Sequence, residues 1–84
     1  MAVIRSLITR RKAEAARHQR AADEHRAAAD KLRATGASGP LIVALIRNRE
    51  AAAARAQEQA AEQLAMADKL AAAWRDSHRG GVNR

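Results

Sequence analysis

Cysteine, phenylalanine and tyrosine are missing from this chain, and its 84 residues include one tryptophan and one proline. Without cysteine there is neither a disulfide framework nor a thiolate metal site. With one aromatic ring, the chain lacks platforms on which unpaired bases stack. No apolar run approaches the roughly 20 residues needed to span a bilayer, so a membrane role is not expected. Met1–Ile8 is too short an apolar block for a signal peptide, and the arginine cluster follows it instead of preceding it. A cytoplasmic location is therefore the default expectation. Large apolar side chains are also few, because most of the 48% hydrophobic content is alanine, which buries little area per residue. One small domain follows, with a core too thin to offset the entropy of ordering the backbone, and oligomerisation is the expected remedy.

What the chain does have is helix-forming sequence between a few breakers. Glycine and proline occur only at Gly36, Gly39-Pro40 and Gly80-Gly81. Ala2 to Ala34 is built largely of Ala, Arg, Glu, Gln, Lys and Leu, a strongly helical composition. Val3, Ile4, Leu7 and Ile8 give its start an apolar face. Ala15, Ala22 and Ala29 then recur at heptad spacing, and Leu32 closes the row. Lys31 and Arg33 suit the negative end of the helix dipole, and Gly36 suits a left-handed terminal position. Ser38 or Gly39 can cap the next helix, with Pro40 in its first turn. In that second helix Ile46, Ala53, Ala60, Ala67 and Trp74 form an unbroken heptad line, flanked by Leu45, Ala56, Leu64, Leu70 and Ala71. Arg75, His78 and Arg79 ahead of Gly80-Gly81 form a stop signal.

The expected fold is all-α, a single domain over residues 1–84. It has a helix over 2–34, a hinge over 35–40, a helix over 41–79 and a frayed tail over 80–84. A short connection makes the helices antiparallel neighbours, an alanine-rich coiled coil. Folding at Ser38 brings Ile4, Leu7 and Ile8 opposite Leu64, Leu70 and Trp74, and Leu32 opposite Leu41, Leu45 and Ile46. Leu32 alone cannot cover Leu41, Ile42, Val43, Leu45 and Ile46, so a surplus apolar patch is expected beside the hinge. Such a patch marks an interface, and a second copy completing a four-helix bundle is the expected occupant.

Catalytic chemistry finds no foothold. Ser6, Ser38 and Ser77 lack a nucleophile context, and Asp76-Ser77-His78 is adjacency without triad geometry. His18 and His25 share a helix face but stand about 10 Å apart along the axis, too far for one metal ion. His18 lies four residues after Glu14, so a solvent-exposed helical pair is the plainer reading, and seam positions, where protonation would affect an interface, are the alternative. No enzyme activity, metal or cofactor is expected.

Sixteen basic against nine acidic residues give a net charge of +7, which favours anionic partners or solubility. The charge is uneven: residues 1–35 hold nine basic and four acidic side chains, and residues 36–84 hold seven and five. From Thr9 to Arg20 the chain resembles, in composition, the arginine-rich RNA-binding helices of phage antitermination peptides. The resemblance implies that Arg10, Arg11, Lys12, Arg17 and Arg20 contact DNA or RNA phosphates. Glu14, Asp23 and Glu24 depart from that pattern, and a solvated face with internal ion pairs is the plainer reading. Arg47 to Arg55 is similar to the basic region of leucine-zipper factors at Asn48 and Ala51-Ala52. That family's next arginine falls on Ala56, and no leucine heptad of the right phase follows.

The leading functional expectation is a non-enzymatic interaction or assembly module that self-associates through the hinge patch and the alanine seam. A dimer is favoured, and any further protein partner is unidentified. The alternatives are a basic nucleic-acid-binding regulator and a structural component of a phage or secretion assembly.

Overall fold

Two helices account for nearly all of the backbone in the computed structural model, which describes residues 2–82. Helix α1 spans Ala2–Ala34 and helix α2 spans Pro40–Val82, and they pack against each other along their length. The molecule is a rod measuring 68 × 15 × 14 Å.

The turn between them follows from four residues. Thr35 Oγ1 donates to the Leu32 carbonyl at 2.7 Å and accepts the Ala37 N–H at 3.2 Å, satisfying groups that the end of α1 leaves open. Gly36 takes a φ of 73°, the left-handed conformation that ends many helices. Gly39 takes a φ of 119°, and its carbonyl accepts the Val43 N–H at 3.0 Å, so Gly39 rather than Ser38 is the cap of α2. Pro40 is the first helical residue, where its missing N–H costs nothing.

The far end of α2 departs from the sequence expectation. The helix continues through Gly80 and Gly81 to Val82, in place of ending at residue 79 with a frayed tail. A glycine ends a helix by turning left-handed, and among the described residues only Gly36 and Gly39 have positive φ. Within a helix, glycine costs only about 1 kcal/mol relative to alanine, and each added turn extends an existing nucleus. The rest of the expected tail, residues 83 and 84, lies outside the described residues.

The core is alanine throughout. Ala15, Ala22, Ala29, Ala53, Ala56, Ala60 and Ala67 are buried, and among the described residues no large side chain is fully buried. Two contacts define the register. Arg11 donates to Gln63 Oε1 at 3.0 Å, and Arg49 lies 3.1 Å from His25 Nδ1. Moving from residue 11 to 25 in α1 thus matches moving from 63 to 49 in α2, as antiparallel helices require. This register sets Ala15 near Ala60 and Ala22 near Ala53, methyl against methyl. Small side chains let the two backbones approach closely, so the stabilisation is dispersion at short range more than buried area. At the open end Ile4, Leu7, Ile8, Leu70 and Trp74 are half-buried, and the Arg5 guanidinium lies 5.5 Å from the centre of the Trp74 ring.

Leu64, expected opposite Ile4 and Ile8, is instead exposed. The second seam row of α2 runs through Ala56, Gln63 and Leu70, so Gln63 holds the inward position and Leu64 is turned to the flank. Its partner row in α1 runs Ile4, Arg11, His18, His25 and Leu32, all half-buried. Polar residues therefore occupy the middle of the second seam row, with large apolar side chains at its two ends.

Candidate functional site

Large apolar side chains meet solvent both toward the open end, at Val3, Leu64 and Met66, and at the hinge. Leu41 is 72% exposed, and Val43 and Leu45 are also exposed. Ile42 and Ile46 are half-buried, at positions one helical turn apart that continue the seam. The five patch residues named from the sequence thus divide in two. Ile42 and Ile46 close the seam beside Leu32, while Leu41 and Leu45 form one exposed flank and Val43, two residues from each, lies on the opposite flank. Helix geometry explains the division: residues i and i+4 share a face, so Leu41 lines up with Leu45 and Ile42 with Ile46.

Beside this surface lies an open groove of about 350 Å³ lined by Ala28, Lys31, Leu32, Thr35, Leu45 and Arg49. Its floor is apolar and its rim carries two cations. The groove exists because Ala28 is small where α1 faces Leu45, and because α1 ends at Ala34 and the chain turns from Thr35.

The opposite long edge of the hairpin is polar. Arg33 reaches Glu50 at 2.6 Å and its own-helix neighbour Asp30 at 3.1 Å, and Arg26 bonds Gln57 while lying 3.6 Å from Asp23. A second groove of about 320 Å³ runs beneath these pairs, lined in part by Ala29, Ala53 and Ala54. Half-exposed ion pairs of this kind contribute little stability; they bias the two helices toward one register.

The basic run named from the sequence is not one surface. Arg11 is half-buried and holds Gln63, and Arg17 pairs with Glu14 one turn away. Arg10, Lys12 and Arg20 are exposed. On a helix of 3.6 residues per turn, Arg10, Arg17 and Arg20 fall on one outward face, and Lys12 falls on the other flank. The alanine seam is likewise divided from the candidate surface, because its alanines are buried between the chain's own two helices.

Hydrophobic patterning passed over Arg11 and Gln63 as seam positions, and offered His18 and His25 there only as an alternative. The signal was present as a second heptad line: Ile4 and Leu32 are its visible ends, and Arg11, His18 and His25 fill the spacing between them. Arg49 donating to His25 Nδ1 requires that nitrogen to carry no proton. Among the described residues, no three His, Asp or Glu side chains come together in an arrangement able to hold a metal ion, and no described helix is long and apolar enough to cross a membrane. Compared with known proteins, the chain matches no family model, no curated protein and no solved structure.

Proposed function

We propose that this chain is a non-enzymatic helical assembly module that self-associates through its hinge end, with a homodimer as the basic unit. One observation carries the reading: the buried core contains only alanine, while Leu41 and Leu45 lie exposed on one face of α2 beside the hinge. A hairpin with so little buried area gains stability by covering that surface, and contiguous exposed apolar side chains are a feature of interfaces. In a dimer the four helices meet where the apolar side chains are. The test is mass in solution. Wild-type protein is expected to sediment as a dimer at micromolar concentration, and Leu45→Asp is expected to shift it to monomer with its helical circular dichroism retained. A wild-type chain that stays monomeric as concentration rises would sink the reading.

A second reading, a nucleic-acid-binding regulator, draws on one feature: exposed Arg10 and Arg20 lie without ion-pair partners among the described residues, on the same outward face as Arg17. It predicts salt-sensitive binding to an RNA stem-loop or random duplex DNA, lost in an Arg10→Glu, Arg20→Glu variant. These positions are better probes than Arg11, whose replacement would also remove the bond to Gln63. Fluorescence anisotropy at low salt checks it, and the absence of binding there would leave the charge as a solubility device.

A further inference from the structure

We infer that the second seam row is a register lock. The alanine row accepts a slide of α2 along α1 by one heptad, and the order of apolar and polar residues in the second row selects the register in which the hairpin closes.

The alanine row does not choose. In the observed register Ala15 lies level with Ala60 and Ala22 with Ala53, while Ala29 meets Ile46 and Ile8 meets Ala67. Sliding α2 by seven residues toward the hinge sets Ala15 against Ala67, Ala22 against Ala60 and Ala29 against Ala53. Alanine still meets alanine, so the backbones approach as closely as before. A seven-residue step also keeps the same faces inward, because it is close to two whole turns of helix.

Nor does the length of the hinge choose. The steps from Ala34, the last residue of α1, to Pro40, the first of α2, reach roughly 20 Å when extended. The slide separates the two helix ends by about 10.5 Å along the axis. Combined with about 9 Å between packed helix axes, the span required is roughly 14 Å, within that reach.

The second row does choose. In the observed register its levels read Ile4 with Leu70, Arg11 with Gln63, His18 with Ala56, His25 with Arg49 and Leu32 with Ile42. Apolar meets apolar at both ends, and the two polar levels between them are joined by contacts of 3.0 and 3.1 Å. After the slide Leu70 faces Arg11 and Arg49 faces Leu32. The half-buried Arg11 guanidinium then loses its acceptor, and both leucines lose their apolar partners. A slide the other way sets Ile4 against Gln63, Arg11 against Ala56 and His25 against Ile42, with losses of the same kind. Of the three registers, only the observed one sets like against like. The polar seam positions thus do what a uniform alanine row cannot.

The experiment reads the register as a distance. The chain has no cysteine, so spin labels go only where Ala13→Cys and Ala44→Cys place them, at exposed sites turned away from the seam. Pulsed electron paramagnetic resonance, with labelled chains diluted in unlabelled protein, then measures the separation within one chain. A single distance is expected in the otherwise wild-type sequence; two distances differing by a heptad would overturn the lock. Arg49→Leu with Leu70→Gln rewrites the row for the register slid toward the hinge, offering an amide to Arg11 and an apolar side chain to Leu32. This variant is expected to lengthen the distance by about 7–10 Å with its helical circular dichroism retained, and an unchanged distance in the folded variant would overturn the lock. Should that variant lose its helical signal, Arg49→Ala with Leu70→Ala decides, since alanine preserves the helices. It removes the preference at two levels without supplying a new one, so both distances are expected, and the wild-type distance alone would overturn the inference.

Discussion

Ala22→Leu should destabilise the hairpin by about 1–3 kcal/mol, enough to unfold much of a molecule this small. Ala22 is fully buried, at 0% exposure, and the register places it near Ala53 on the facing helix. Leucine and alanine differ little in helix propensity, so the change isolates packing. A leucine there needs volume that two closely approaching backbones do not leave. Making room separates the helices, which also loosens the neighbouring layers around Ala15, Ala29 and Ala60. The control is Ala16→Leu, six residues earlier on the same helix but exposed, where the effect should stay within about 0.5 kcal/mol. Urea denaturation followed by circular dichroism reads both, at one protein concentration because self-association shifts apparent stability. An Ala22→Leu protein as stable as wild type would mean that the helices sit farther apart than alanine-on-alanine contact implies.

Gly39→Ala should cost about 1–3 kcal/mol for a different reason. A Cβ at residue 39 would meet nothing within 4 Å, so no clash is involved. The cost is the backbone itself: a φ of 119° lies where side-chain-bearing residues are rarely found. Gly39 must hold it because its carbonyl caps α2 while the chain reverses direction into Pro40. Gly36, at 73°, lies in the ordinary left-handed region, so Gly36→Ala should cost less, about 1–2 kcal/mol. Gly36→Asn should cost less still, since asparagine tolerates that region. The expected order of stability, by thermal denaturation, is wild type, Gly36→Asn, Gly36→Ala, Gly39→Ala. If Gly39→Ala raised stability, as restricting a flexible glycine in the unfolded chain can do, the sharp hinge would not be the conformation held in solution. A continuous helix pivoting at the glycines would then describe the chain better.

These two substitutions mark where sequence and tertiary structure part. Both helices, the turn at Gly36 to Pro40 and the burial of Ala15, Ala22, Ala29, Ala53, Ala60 and Ala67 were legible in the residue order alone. Each depends on local chemistry or a seven-residue repeat, and both are one-dimensional properties. The helical path through Gly80-Gly81 was not legible, because the same dipeptide is compatible with a stop or with continuation, and backbone conformation alone separates them. Nor was the second seam row. Seam positions are one alternative for His18 and His25, but Arg11 and Gln63 look like surface residues by type; packing leaves all four half-buried, with Arg11 bonding Gln63 and Arg49 lying beside His25. The candidate surface shows the same boundary. Its residues Leu41 to Ile46 stood out as apolar surplus, but which of them face α1 depends on how the helices are rotated about their axes. Rotation is set by the alanine contacts, so only the packed pair of helices could separate Ile42 and Ile46 from Leu41, Val43 and Leu45.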